Sequence, residues 1–350
     1  MNPESLNHDW QKLELLSDKI NQAARRVDDF LFKFIMRDEQ VPNLHKGMIY
    51  ALGLDKQDVS LRGKRLRPAL GLLVCEALGG DPEILLPFAT ALEIFHNFTL
   101  VHDDIEDGDT YRRNRQCVYV KFGLAHGVNI GDYMFVKVFR LLMEPTKNVV
   151  TPERRLQLLE LMIESFEHTH IGQALDINAR QNHHFNKEDY FRIVTEKTGY
   201  CLAAPMIAAA ILTQTSSKIR KALTGYSRAI GPLFQIRDDV IDLTEKKGRK
   251  CIGSDVKEGK RSFLVAHTSE RCTDKERQEL YRILDLPREE TSSGQVDWVR
   301  DLFKKYESFS AARKENERLL TQAFEALRGT PESLGNLLKA FAGLLLQRKK

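Results

Sequence analysis

Hydrophobic positions recur every three or four residues along nearly the whole chain. From about 10 to 36, Leu13, Leu16, Ile20, Ala24 and Val27 keep that spacing, which predicts an amphipathic helix. An apolar run from Pro68 to about Leu78 predicts a core helix, with Pro68 in a first turn that tolerates a missing N–H. Residues 82–105, PEILLPFATALEIFHNFTLVHDDI, predict a long helix apolar enough to be central. The pattern continues over 127–143, 152–180, 187–213, 216–243, 260–286, 295–327 and 331–347. Alternating strand-like runs bounded by turn residues are scarce. The expected fold is all-α, a bundle of roughly ten or more helices. No linker or low-complexity segment divides it, so one domain over 1–350 is expected.

Composition narrows the partners. The chain has 350 residues, 53 basic against 49 acidic, for a formal net charge of +4. That balance argues against nucleic acid. The five cysteines (Cys75, Cys117, Cys201, Cys251, Cys272) are odd in number and show no metal-ligand spacing, which predicts a reducing, cytoplasmic setting. The start, MNPESLNHDWQKLELL, is not a secretory signal, and no apolar run approaches the ~18 residues of a membrane span.

The chemistry-bearing residues fall in a few short strings. In DDIED, Asp103 and Asp107 stand four apart, so both carboxylates share one helix face, with Asp104 beside them. Like charges this close call for a cation, and hard oxygen ligands on a helix suit Mg²⁺. Arg112 and Arg113 follow, suited to a polyanion such as diphosphate. DDVID repeats the spacing with Asp238, Asp239 and Asp242, three residues after Gln235. The basic, glycine-containing segment KKGRKCIGSDVKEGKR comes next and reads as a lid over an anion or as a surface loop. RGKRLRPAL places Lys64, Arg65 and Arg67 before a helix start, an anion site or a solvated basic turn. EKTGY sets Lys197 and Thr198 beside Gly199 in a helix, where a glycine destabilises by about 1 kcal/mol and marks a kink, a close approach or simple packing. His168 and His170 lie two apart, on different helix faces. His183 and His184 fall in a polar loop, and neither pair resembles a zinc site. Alone, DDIED reads more readily as a solvated helix end than as a site, and DDVID with its basic segment equally well as a site or a surface loop; two matching clusters are much harder to obtain by chance.

Taken in order, GKRLRP, FHNFTLVHDDIED with YRR, GQALD, EKTG and FQIRDDVID with GSDVKEGKR resemble the trans-isoprenyl diphosphate synthases over about residues 60–265. The resemblance implies the isoprenoid synthase fold, helices around a central cavity, and head-to-tail condensation of isopentenyl diphosphate with allylic diphosphates. It implies three Mg²⁺ per active site, with Asp103, Asp107 and Asp238 as ligands and Asp104, Asp239 and Asp242 acting mainly through water. Lys64, Arg67, His96 and Arg113 would hold isopentenyl diphosphate. Arg112, Lys197, Lys250 and Lys260 would hold the allylic diphosphate, and Thr198 and Gln235 would present oxygens to the developing cation. A homodimer is also implied.

Phe98 followed by the small Thr99 is similar to geranylgeranyl enzymes of archaeal type, which makes geranylgeranyl diphosphate the expected product. Farnesyl and longer products are the alternatives. Phe98 lies about 140° around the helix from Asp103, so helix geometry favours Thr99 or Phe95 as the floor of the product cavity. The chain departs from the family pattern at Asn114, Arg115 and Gln116, at Val118–Val120, at Arg62 and at Cys251. A terpene cyclase is disfavoured by Asp242 and Lys246 in the second cluster. Retention of both clusters disfavours a non-catalytic subunit, and the ordered motifs disfavour a helical scaffold.

Overall fold

The computed structural model describes residues 3–55, 62–143, 150–244 and 252–347. Among these the element order is helical throughout, apart from one two-stranded antiparallel ribbon, Tyr111–Arg112 with Arg115–Gln116. The fold is all-α, as the 3.6-residue period predicts. Lys250, Cys251 and Lys246 lie outside the described residues.

The chain divides into two compact units. The first comprises Met1–Glu164, Cys201–Leu223 and Arg328–Leu344. Its centre is the helix Pro82–Glu106, which packs on Leu66–Ala77 and Leu124–Leu142. Asp81 caps it by accepting from the Glu83 N–H, and Pro82 occupies the first helical position. Leu85, Ala89, Leu92, Ile94 and Phe95 are fully buried. This helix corrects one expectation: an 18-residue window of it reaches a mean hydropathy of 1.5, long and apolar enough to cross a membrane. Within the fold 72% of that window is buried, so its apolar character is that of a core helix.

The second unit comprises Ser165–Tyr200, Thr224–Leu327 and Leu345–Lys350. Here Phe263–Ser269 packs on Ser308–Ala326 and Lys187–Val194. Several boundaries differ from the periodic reading. The expected 260–286 helix is two, because Thr273 and Glu276 form a reciprocal capping box that starts a new helix at Asp274. The expected 295–327 helix breaks at Glu307, whose φ of 54° no helix accommodates. The helix by Pro68 begins two residues earlier, at Leu66. The expected 187–213 helix is interrupted by a π-helical turn, Thr195–Gly199.

Candidate active site

DDIED occupies the last turn of the Pro82–Glu106 helix, with Asp107 as its C-cap. Asp103 is half-buried, while Asp104 and Asp107 are buried. Arg112 answers the charge: Nε donates to Asp104 Oδ1 at 2.5 Å and Nη2 to Asp103 Oδ2 at 3.2 Å. Burial pushes the Asp104 pKa up, and Arg112 pulls against that shift. The ribbon delivers this arginine. Arg113 (φ 51°) and Asn114 (φ 60°) both sit in the left-handed region, the conformation of a two-residue type I′ hairpin. Asparagine tolerates that region, so Asn114, one of the departures from the family pattern, fits the tip of the hairpin. The atypical Arg115 is held by Asp55 at 2.6 Å and lies over the Tyr50 ring, whose hydroxyl donates to the Gln116 carbonyl at 2.8 Å.

A basic cluster lies beside it in the same unit. Arg67 Nη1 is 3.3 Å from His96 Nε2, and Arg113 Nη1 donates to the Arg62 carbonyl at 3.1 Å. Burial, then Arg67, Arg113, Arg112 and Arg65, hold the His96 pKa well below its ordinary value. Burial likewise pushes Arg113 down to about 10 against the pull of Glu93. Groups that resist positive charge this strongly favour an anionic ligand. Arg65 faces the other way: it is buried and bonded to Asp28 Oδ1 (2.9 Å), Glu93 Oε1 (2.7 Å) and the Leu52 carbonyl (2.5 Å). It anchors the turn that carries the exposed Lys64 and half-buried Arg67.

In the second unit a cavity of about 100 Å³ is lined by Lys197, Thr198, Gln235, Asp238, Asp239 and Lys260, together with Asp176, Tyr190, Asp255 and Arg261. Asp239 is buried and accepts from Tyr190 Oη (2.8 Å), the Phe263 N–H (3.1 Å) and Gln235 Nε2 (3.0 Å). Burial, then Asp239, hold the Tyr190 hydroxyl well above its usual pKa, so it stays a donor. Asp242 is buried outside the cavity lining, accepting from Ser254 Oγ (2.8 Å) and the Asp255 N–H (3.1 Å). Both carboxylates therefore have direct protein donors, alongside the water-mediated role that the family resemblance implies. Lys197 Nζ donates to Asp176 Oδ2 at 2.8 Å, and Lys260 pairs with Glu258 at 2.7 Å.

The glycine in EKTGY has its reason in a neighbour. A Cβ on Gly199 would meet only Thr195, at 3.8 Å, whereas one on Gly231 would press on Gly199 Cα at 3.0 Å. Gly231 is the residue that lets the two backbones approach.

Among the described residues no three His, Cys, Asp or Glu side chains converge to cage an ion unaided. The donors are carboxylates, those of the first cluster at the electronegative end of a helix. That set fits Mg²⁺, which keeps waters and takes phosphate oxygens as its remaining ligands, better than a metal that needs a protein cage.

The polyprenyl synthetase family model matches residues 55–303. The chain belongs to the polyprenyl synthetase family. It is an enzyme of the trans-prenyltransferase class. A geranylgeranyl diphosphate synthase of Methanosarcina mazei is 31% identical over 350 residues, covering 96% of this chain and 99% of that protein. A short chain isoprenyl diphosphate synthase of Methanocaldococcus jannaschii is 31% identical over 272 residues, covering 77% and 78%. The crystal structure of a geranylgeranyl pyrophosphate synthetase from Pyrococcus horikoshii superposes with a TM-score of 0.84 at 30% identity, over 96% of this chain and 99% of that one.

In this polyprenyl synthetase, the first unit gathers Asp103, Asp104, Arg112 and Arg113, with Arg67 against His96. The second gathers Lys197, Thr198, Gln235, Asp238, Asp239 and Lys260. Phe98 is buried against Phe95 (5.6 Å between ring centres), His102 (5.7 Å) and Phe135 (5.6 Å). Thr99 is half-buried and donates to the His96 carbonyl at 2.8 Å. Sequence reasoning missed Asp176, Tyr190, Asp255 and Arg261. Asp176 and Asp255 stood inside quoted motifs, GQALD and GSDVKEGKR, whereas no local signal singled out Tyr190.

Proposed function

We propose that this enzyme condenses isopentenyl diphosphate head-to-tail with dimethylallyl, geranyl and farnesyl diphosphates, in a Mg²⁺-dependent reaction ending at geranylgeranyl diphosphate. The observation that carries the reading is the second-unit cavity, where two lysines and several carboxylates surround Thr198 and Gln235. A diphosphate and its metal ions need that mixture of cations and acidic ligands. The names of the archaeal relatives support the product.

Asp103, Asp107 and Asp238 would hold Mg²⁺, three ions per site. Bound there, the metal would neutralise the allylic leaving group. Arg112, Lys197 and Lys260 bind the allylic diphosphate electrostatically, and Lys64, Arg67, His96 and Arg113 bind that of isopentenyl diphosphate. With Nε2 committed to Asp239, Oε1 is the atom Gln235 presents to developing positive charge. The proton lost after carbon–carbon bond formation goes to the departing pyrophosphate, so no His or Glu base is assigned. The apolar wall around Phe95 and Phe98 excludes water from the growing chain.

Buried, unbridged Cys75, Cys117, Cys201 and Cys272 support a cytoplasmic setting. Exposed Leu124, Val128, Phe135 and Val136 on one helix support a homodimer.

The test is pyrophosphate release from each allylic primer with isopentenyl diphosphate, with and without Mg²⁺, and chromatography of the products. Absence of release from every primer overturns the enzyme reading; an end product of C15, or one longer than C20, overturns only the product assignment. Phe98→Ala is expected to lengthen the product, and an unchanged distribution would place the floor at Thr99 or Phe95.

A further inference from the structure

His168 belongs to none of the motifs, yet it stands one turn before Gly172 and two before Asp176. Positions 168, 172 and 176 form one face of the helix Pro152–Ala179. That face follows the π-helical turn Thr195–Gly199 residue by residue. His168 Nδ1 donates to Glu196 Oε2, and its ring stacks on Tyr200 with centroids 3.5 Å apart and planes within 6°. Gly172 lies so close that a Cβ there would overlap the Lys197 backbone. Asp176 holds Lys197 Nζ at 2.8 Å.

A π-turn carries one residue more than the α-helical turn it replaces and persists only where its surroundings hold it. Its relaxation to α-helix would rotate Lys197 and Thr198 by about 100° relative to the helix before them. Glu196 lies inside the turn and Tyr200 is the first residue after it, so His168 grips both. We propose that His168 is a positioning residue: by bonding Glu196 and stacking on Tyr200 it holds the π-turn in the register that points Lys197 and Thr198 at the diphosphate. The proposal rests on the role given above to Lys197.

Titration calorimetry with inorganic pyrophosphate and Mg²⁺, beside steady-state kinetics, tests it in wild type, Lys197→Ala, His168→Ala and His168→Gln. His168→Ala is expected to weaken pyrophosphate and raise KM for the allylic diphosphate about tenfold, the scale of one charge-assisted hydrogen bond, with kcat less affected. The melting midpoint should move by only about 2 °C, since both partners are partly exposed. His168→Gln, which keeps a donor to Glu196, should recover most of the affinity. If Lys197→Ala weakens pyrophosphate and His168→Ala does not, the positioning role is overturned. If Lys197→Ala itself has no effect, the role of Lys197 falls first. Should His168→Ala not fold, Glu196→Ala removes the same bond from the other side, and unchanged affinity there overturns the proposal equally.

Discussion

The two aspartate clusters share a spacing in sequence and differ in how their charge is balanced. In the first, Asp103 and Asp104 are balanced by a cation, Arg112, carried in on a hairpin. In the second, Asp239 and Asp242 accept from fixed dipoles among the described residues: a tyrosine hydroxyl, a serine hydroxyl, a side-chain amide and two backbone N–H groups. An arginine can exchange one anion for another when metal and diphosphate arrive. A buried carboxylate that accepts from several fixed donors cannot be released so easily, because each donor would be left unpaired in a dry interior. The first cluster is therefore built to change partners. The second is built mainly to stay: Asp238 and Asp239 line the cavity, Asp239 tied to its donors there, while Asp242 anchors the segment Gly253–Asp255.

The largest effect that sharpens this contrast is catalytic. Asp103→Ala and Asp238→Ala are each expected to reduce kcat by about a thousandfold or more, the scale of removing a principal charge-stabilising group. Neither should lower the melting temperature, since removing one of several clustered like charges does not harm the metal-free protein. A near-wild-type rate in either variant would refute the ligand assignment.

Next comes stability, where the clusters part. Asp239→Ala leaves the Tyr190 hydroxyl and Phe263 N–H buried without an acceptor, and should lower unfolding stability by about 2–4 kcal/mol in urea titration. Asp238→Ala should leave stability within about 0.5 kcal/mol of wild type. Equal losses in the two variants would mean that the second cluster is not divided between anchoring and chemistry.

The legible part of this molecule was its local part. The clusters, their spacing and the apolar helix leading into the first are all set by residues within one or two turns, so periodicity finds them. What balances each charge is set by tertiary contact. Tyr190 reaches Asp239 across 49 positions in sequence. Arg65 differs from Lys64 and Arg67 only because its backbone, at φ 46°, turns it inward to Asp28 and Glu93. Three basic residues within four positions look alike in sequence, and the chain's path decides which is structural. The π-turn escaped for a related reason: Gly199 signalled an irregularity, but the surfaces that hold it, Gly172 and Gly231, lie on other helices.

The smallest effect concerns the hairpin that brings arginine to the first cluster. Its tip needs two consecutive left-handed residues, and Asn114 supplies one at φ 60°. Asn114→Gly should change stability by no more than about 0.5 kcal/mol, since glycine adopts this region freely and adds only unfolded-state entropy. Asn114→Val should destabilise by about 1–2 kcal/mol, because a β-branched side chain clashes with the backbone there. The hairpin can relieve that strain by opening, which would draw Arg112 away from Asp103 and Asp104. Asn114→Val should therefore also raise KM for the allylic diphosphate, while Asn114→Gly leaves it alone. Wild-type stability with an unchanged KM in Asn114→Val would show that Arg112 is held by the carboxylates rather than delivered to them by the turn.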